Sequence, residues 1–169
     1  MSYARNEFGD RSDVLFVKRA ITRPADAGSE DHIAMTDAEF DASVDGGAFS
    51  LTWAANGLRY GLPRALEAHL ASGGLAVVNG SRGAWSIIRQ VFPSAVAVEI
   101  KVDPDILAQR LEARGRESAL EIEARLRRAQ ALDNGFEADV VIDNSGEVTA
   151  AGAALVAYMT QAIAEAQAG

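Results

Sequence analysis

Arginine side chains are the residues of this sequence best suited to chemistry, and they dominate its cations. Of the 16 basic residues, 14 are arginine and only Lys18 and Lys101 are lysine. A guanidinium group offers a planar fork of N–H donors that matches phosphate oxygens, whereas an ammonium group acts as a point charge. Codon usage that favours arginine would give the same count. Only the positions of the arginines can therefore indicate whether they bind phosphate.

Three polar clusters follow apolar, strand-like runs of the sequence. They are Thr22-Arg23, Asn79-Gly80-Ser81-Arg82 and Asp143-Asn144. In open parallel sheets the ligand site lies beyond the carboxyl ends of the strands. Hydroxyl, amide and guanidinium groups at that edge predict a site for an anionic ligand, although each cluster alone is also typical of a solvated loop.

A second arginine cluster surrounds Gly115. Two helical segments contribute pairs that share a face, Arg110 with Arg114 and Arg125 with Arg128. The whole cluster consists of Arg110, Arg114, Arg116, Arg125, Arg127 and Arg128. Two such helices hinged at a glycine can close over a polyphosphate and exclude water. The alternative is a pair of solvated helix faces, because four glutamates are interleaved with the arginines.

The elements that must position these groups follow from periodicity and capping signals. Thr36 to Glu39 match a capping box, and Asn56-Gly57 between two apolar runs predicts a hairpin. The predicted strands are Val14–Ile21, Phe49–Ala54, Leu58–Leu62, Leu75–Asn79, Ala95–Val102 and Asp139–Ile142. The predicted helices are Tyr3–Phe8, one from Thr36 to Gly46, Pro63–His69, one ending at Val91, Asp103–Gly115, Ala119–Leu132 and one after Glu147. This alternation predicts a single α/β domain over residues 1–169, with a mainly parallel sheet covered on both faces.

Composition sets the broad class. The chain has 169 residues, 49% of them hydrophobic, a net charge of −8 and no cysteine. Disulfides, thiolate metal sites and cysteine nucleophiles are therefore excluded. The negative charge argues against a general nucleic-acid binder. No apolar run approaches the length of a membrane span, so we expect no membrane partner. The polar N-terminus, Met1 to Arg11, does not resemble a secretory signal, and with no cysteine present a cytoplasmic location is the default expectation.

Four strings carry a resemblance to a known family. They are ITRPADAGSEDH (21–32), AEF (38–40), GLRYGLP (57–63) and VVNGSRG (77–83). The sequence resembles the ribose 1,5-bisphosphate phosphokinases, guanylate-kinase-like enzymes of phosphonate catabolism, from Tyr3 to the final helix. The resemblance implies a three-layer P-loop-kinase-type parallel sheet with an inserted acceptor-binding hairpin (about 23–62) and a helical lid (about 110–128).

The resemblance also implies an acceptor site. In guanylate kinases a Thr-Arg pair and a Tyr-Gly pair hold the acceptor phosphate, and Thr22-Arg23 and Tyr60-Gly61 match them here. The other residues implied to bind the acceptor are His32, Asn79, Ser81 and Arg82. Asp26 stands near the place of a second arginine, and Asn79 stands where guanylate kinases have an aspartate. The loss of that aspartate, with Ser81 and Arg82 kept, suits an acceptor with more phosphate and no purine.

The lid and the nucleotide site are implied in the same way. The Arg-Gly-x-Glu signature of the lid matches Arg114 to Glu117, and a later lid arginine matches Arg125. Arg114, Arg125 and Arg110 are thereby implied to act on the transferring phosphates as catalytic residues. Arg114 and Asn144 are implied to bind ATP, with Asn144 at the adenine. No residue is implied to hold a metal directly, and His69 is expected to be structural.

The activity that the resemblance implies is ATP- and Mg²⁺-dependent phosphorylation of ribose 1,5-bisphosphate to 5-phosphoribosyl 1-diphosphate. The implied partners are therefore a small phosphosugar and ATP. Two alternatives stay open: a nucleoside monophosphate kinase of guanylate-kinase type, and a catalytically silent binding module of the same fold.

The P-loop pattern GxxxxGK[ST] of such kinases does not occur in the 169 residues. We expect its strand and loop to belong immediately before Tyr3, so that the chain as given lacks a central strand and has impaired activity. A late start codon, a shortened chain or a decayed paralogue would each give this sequence. An incomplete sheet would leave unpaired ladder groups to cover, and a homodimer is one way to cover them.

Overall fold

The computed structural model describes residues 1–25, 31–115, 118–132 and 136–168, with side chains at all of these except 128–132 and 168. Seven α-helices and eight strands lie in the described residues. The helices are α1 (Ser2–Phe8), α2 (Asp37–Asp45), α3 (Ala65–Ala71), α4 (Trp85–Val91), α5 (Pro104–Arg114), α6 (Ala119–Leu132) and α7 (Val148–Ala168). The strands are β1 (Val14–Phe16), β2 (Ala20–Ile21), β3 (Ile33–Ala34), β4 (Phe49–Ala55), β5 (Leu58–Pro63), β6 (Leu75–Val77), β7 (Val98–Lys101) and β8 (Val140–Asp143).

The chain divides into two compact units. One consists of Met1–Glu7 and Val96–Tyr158, and the other of Phe8–Ala95 and Met159–Gly169. The second, which carries the predicted acceptor region, contains the parallel pair β1–β6 and the mixed sheet β3-β2-β5-β4. The first contains the parallel pair β7–β8.

The hairpin β4–β5 is the local element that the sequence predicts best. Asn56 and Gly57 both have positive φ, at 52° and 74°, as a type I′ turn requires. The turn places Trp53 opposite Tyr60 and Thr52 opposite Gly61. Gly61 lies against the ring of Phe49, which itself stacks on Phe40. The turn therefore sets the register that puts Tyr60 and its glycine in place.

The predicted strand Val14–Ile21 is wrong as a single element, because the run is divided between two sheets. Leu15 pairs with Ala76 in β6, and the N–H of Val17 still donates to Val77 O at 3.0 Å. Two residues later the carbonyl of Arg19 accepts from Ile33 N at 2.9 Å, and Ile21 pairs with Tyr60 in β5. Strand propensity is the same along the whole run, so only the non-local partners show where it changes sheets.

The strand β3, which pairs in parallel with β2, was not predicted from the sequence. One further prediction about this region is corrected. Pro63 ends β5 opposite Phe49 and does not begin the following helix, which starts at Ala65. A proline is tolerated at a strand end because its missing N–H then removes no central ladder bond.

Capping residues set the helix ends much as predicted. Thr36 accepts from Glu39 N, and the Glu39 carboxylate accepts from Thr36 N at 2.7 Å, which completes the capping box of α2. Asp103 caps α5, and Gly115 ends it in the left-handed conformation at φ 63°. These local contacts explain why the helix boundaries could be anticipated from the sequence.

The parallel strands form pairs and not one continuous sheet. Among the described residues β6 pairs only with β1, and β7 pairs only with β8. Each pair therefore keeps strand edges without a ladder partner among these residues. No helix in the described part of the chain combines the length and the apolar character needed to cross a bilayer.

We predict that Gly61→Ala destabilises the protein by about 1–3 kcal/mol, because the added methyl group overpacks the core. A Cβ atom at Gly61 would lie 2.7 Å from ring atoms of Phe49. Chemical denaturation with tryptophan and far-ultraviolet readouts measures the change. Gly80→Ala is the matched control, since its nearest neighbour would be Ile88 at 3.9 Å. Equal stability of the two variants would contradict this packing argument.

Candidate functional site

The end of β2 is fixed to β5 through Thr22. Its N–H donates to Arg59 O at 3.1 Å, and its Oγ1 accepts from Arg59 N at 2.9 Å. Arg59 is itself held by Asp41 at 2.7 Å and by the ring of Phe40, whose centroid lies 4.4 Å from the guanidinium carbon. Thr22 therefore makes the last hydrogen bonds between β2 and β5. The chain leaves the sheet directly after it, at Arg23, so the backbone there is well fixed.

Arg23 carries unused donors in a protected place. Its Nε and Nη2 atoms are buried, and neither has a hydrogen-bond partner in the part of the chain that the structure describes. Burying a guanidinium group without a partner is costly, so such a group is well suited to an anionic ligand. Nε and one Nη form the side-on fork that takes two oxygens of a phosphate or carboxylate.

His32 acts on the backbone of the same residue. Its Nε2–H donates to the carbonyl of Arg23 at 3.1 Å, and the ring is half-buried. This contact holds the segment that begins β3 against the segment that ends β2. The sequence singled out His32 as an acceptor ligand, and the hydrogen bond indicates a further way in which it can serve the site, by orienting Arg23.

Tyr60 lies in an aromatic stack that the sequence reasoning did not detect. Its ring is parallel to that of Trp53 within 8°, with centroids 5.2 Å apart. The guanidinium carbon of Arg19 lies 5.0 Å from the Tyr60 centroid and 5.8 Å from that of Trp53. The alternation of β2 and the hairpin register could have shown this, because Arg19 shares a face with Ile21, which pairs with Tyr60.

The cluster after β6 lies at the carboxyl end of that strand, as predicted. Asn79 is exposed in the loop that follows β6. Ser81 precedes a short 3-10 helix that begins at Arg82, and its carbonyl accepts from Ala84 N at 2.9 Å. Ser81 and Arg82 are both half-buried. These acceptor candidates thus belong to the same compact unit as Thr22, Arg23, His32 and Tyr60.

The nucleotide candidate Asn144 belongs to the other unit, in a loop held by Arg110. The Arg110 guanidinium donates to three backbone carbonyls, those of Asn144 at 2.6 Å, Ser145 at 3.3 Å and Gly146 at 2.5 Å. The Asn144 N–H donates to Lys101 O at 2.6 Å, while its Oδ1 is buried and has no partner among the described residues. Arg110 was predicted to touch phosphate, and the structure places its donors on this loop.

Asp143 and Ser145 brace the loop from the other side. Ser145 donates both its N–H and its hydroxyl to Asp143 Oδ1, at 2.8 and 2.5 Å, and its Oγ accepts from Asp103 N at 2.9 Å. The hydrogen bonds from Ser145, followed by the positive charge of Arg110, lower the pKa of Asp143. An ionised Asp143 thus holds Ser145, the residue that follows Asn144, in a fixed position.

Among the described lid arginines, Arg114, Arg125 and Arg127 are exposed. Arg114 ends α5 and Arg125 lies on α6. Arg127 forms an ion pair with Glu123 at 2.5 Å, which is the solvated-face arrangement that the sequence left open for this cluster. Asp26, Arg116 and the side chain of Arg128 lie outside the described residues. Among the described residues, no three His, Cys, Asp or Glu side chains are grouped so that they could hold a metal ion.

We predict that Asp143→Asn weakens the pH dependence of stability on the acid side. A carboxylate whose pKa is lowered by folding stabilises the fold above its ordinary pKa, and the contribution is lost as the pH falls through the lowered value. The wild type should therefore lose more stability than the variant between neutral pH and pH below about 4. Thermal unfolding across this range measures it, with Asp10→Asn, at an exposed turn, as a control for lost charge. Parallel profiles for the wild type and Asp143→Asn would contradict this.

The chain resembles known proteins both in sequence and in fold. The chain matches no protein-family model. It is 44% identical over 161 residues to ribose 1,5-bisphosphate phosphokinase PhnN of Desulfomicrobium baculatum, covering 95% of this chain and 86% of that protein. It is 39% identical over 167 residues to the protein of the same name from Agrobacterium fabrum, covering 99% and 91%. A crystal structure of guanylate kinase from Anaplasma phagocytophilum aligns with a TM-score of 0.67 at 22% identity, over 95% of this chain and 80% of that one, which establishes the likeness of fold.

Proposed function

The chain belongs to the family of ribose 1,5-bisphosphate phosphokinases, and from that premise we propose that it transfers the terminal phosphate of ATP to ribose 1,5-bisphosphate. The products would be ADP and 5-phosphoribosyl 1-diphosphate. The observation that carries the proposal is the buried fork of Arg23, whose Nε and Nη2 have no partner among the described residues. A phosphorylated acceptor supplies the oxygens that this fork lacks.

The acceptor is held by residues of one unit. We assign the acceptor phosphates to Arg23, Tyr60 and Arg82, with Thr22, Asn79 and Ser81 completing the site. His32 orients Arg23 through its hydrogen bond to the Arg23 carbonyl. Two guanidinium groups in this set, those of Arg23 and Arg82, favour an acceptor that carries more than one phosphate group.

The nucleotide is held by residues of the other unit. The buried, unpaired Oδ1 of Asn144 fits the exocyclic amino group of adenine, which would donate to it. Arg114 and Arg125 are proposed to neutralise the transferring phosphates. For Arg110 we propose a positioning role, because its guanidinium group already bonds the carbonyls of residues 144–146.

The protein itself needs to form or break few covalent bonds in this reaction. One oxygen of the acceptor phosphate forms a bond to the γ-phosphorus of ATP while the bond to the leaving ADP breaks. Positioning and charge neutralisation lower the barrier of such transfers. Mg²⁺ supplies further charge neutralisation on the phosphates. With no carboxylate cluster among the described residues, it would be held largely through the nucleotide and water.

Binding and turnover are best measured separately, since the 169 residues contain no GxxxxGK[ST] pattern. Calorimetry gives the affinity for ribose 1,5-bisphosphate beside GMP and ribose 5-phosphate. Phosphorus NMR with ATP and Mg²⁺ then detects 5-phosphoribosyl 1-diphosphate or GDP. Where the genome encodes further residues in frame upstream, the longer product is assayed in parallel. Tighter binding of the bisphosphate and formation of 5-phosphoribosyl 1-diphosphate would support the proposal, whereas GDP formation would indicate a nucleoside monophosphate kinase.

If neither the 169-residue chain nor the longer product shows turnover but both bind the acceptor selectively, the protein would be a catalytically silent binding module of the same fold. Absence of acceptor binding by a folded protein would refute the acceptor site itself.

We predict that Arg23→Met weakens the binding of ribose 1,5-bisphosphate by about 10- to 100-fold, the usual range for charge-assisted hydrogen bonds. The loss should diminish at high salt, because part of it is electrostatic. Arg11→Met is the matched control, since Arg11 is exposed and paired with Asp13. Titration calorimetry at two ionic strengths measures both variants. An equal loss in both would show that overall charge, and not the Arg23 fork, holds the acceptor.

A further inference from the structure

We infer that Arg19 is a positioning residue of the acceptor site, which fixes the ring of Tyr60 for binding of the phosphorylated acceptor. The inference rests on the proposed function, because it takes Tyr60 as a ligand of that acceptor. It concerns a residue that neither the sequence motifs nor the comparisons single out. The observation behind the inference is that one cation lies against two stacked rings immediately before the start of β2.

The three side chains form one buried stack. Arg19 is 6% exposed, Trp53 8% and Tyr60 9%. The rings of Trp53 and Tyr60 are nearly parallel, and the Arg19 guanidinium lies within 6 Å of both centroids, at 5.8 and 5.0 Å. A cation held at this distance is attracted to the face of a desolvated ring and restricts how the ring can turn.

The backbone ties this stack to Arg23. Ile21 is fully buried and lies directly opposite Tyr60, and the Arg19 carbonyl is fixed by Ile33 N at 2.9 Å. Arg23 follows Ile21 by two residues, and its N–H donates to the Ile21 carbonyl at 2.8 Å. Any shift of the Tyr60 ring would therefore occur beside the segment that presents the anion-binding fork.

Packing alone does not require a charge at this position. Replacing buried charged groups by apolar groups of similar volume is often neutral or stabilising. An apolar side chain could fill the space beside the two rings without desolvating a cation. The guanidinium instead holds the ring of Tyr60 through a cation–π contact, which an apolar side chain would not supply.

A double-mutant cycle on the full chain tests the inference. We expect Arg19→Met to weaken the binding of ribose 1,5-bisphosphate by about 3- to 30-fold, the range of a cation–π contact, in the wild-type background. In the Tyr60→Phe background, which keeps the ring but removes the hydroxyl that Arg19 positions, the same substitution should have much less effect. Arg19→Lys keeps a cation and should recover part of the affinity. The affinity for ATP should stay unchanged in all of these variants.

The matched control is Arg89→Met, which removes a guanidinium 5.5 Å from the ring of the other tryptophan, Trp85, on α4. It should leave the acceptor affinity unchanged. Should Arg19→Met fail to fold, the cycle is measured with Arg19→Lys alone. We then expect an intermediate loss of acceptor affinity in the wild-type background and a smaller loss in the Tyr60→Phe background. Trp53 emission in a Trp85→Phe background gives a second readout, because the acceptor should change it with the wild-type stack and less with Arg19→Met.

Three results would overturn the inference. The first is an unchanged affinity in Arg19→Met, and the second is an equal loss with and without the Tyr60 hydroxyl, since Arg19 would then not act through Tyr60. The third is a folded wild type that does not bind ribose 1,5-bisphosphate. This last result would overturn the proposed function as well, whereas the first two leave it intact.

Discussion

A guanidinium group stays charged at any ordinary pH, so a chain that takes one out of water has to compensate its charge nearby. This constraint organises much of the structure. The stacked rings of Trp53 and Tyr60 lie against Arg19, three backbone carbonyls surround Arg110, and Asp41 with Phe40 holds Arg59. Each of these contacts joins separate segments of the chain. Arg23 is the contrasting case, because two of its buried donors have no partner among the described residues, and it is thereby the cation best suited to a ligand.

The local part of the fold could be predicted from the sequence because its signals are local. A capping box, an Asn-Gly turn and a left-handed glycine each fix an element through residues only a few positions apart. The division of Val14–Ile21 between two sheets and the strand β3 could not be predicted in the same way. The division depends on Leu75–Val77 and on Tyr60, which lie far along the chain, and β3 in turn pairs with β2. Alternation of residue types does not reveal which partner a strand chooses.

The candidate site shows the same division. That polar residues follow β2, β6 and β8 is readable from the sequence, because parallel strands present their ligand groups at their carboxyl ends. The roles of individual arginines are less readable. Arg110 has the spacing expected of a lid residue, yet its donors reach a loop 34 to 36 residues away. Arg19 reads as an ordinary polar residue within an apolar run, and only the register of the distant hairpin shows the rings against which it lies.

The same register has a consequence for how the chain acquires its structure. The hairpin β4–β5 is closed by a two-residue turn, whereas Val14 must find Leu75 before β1 and β6 can pair. Hairpins form in microseconds, and non-local parallel pairings form more slowly because a long loop must close first. During synthesis, therefore, Trp53 and Tyr60 are expected to meet before β6 has left the ribosome. The stack would then be available as a template on which the earlier segment around Arg19 settles, so that the acceptor face is among the first parts of the protein to exist.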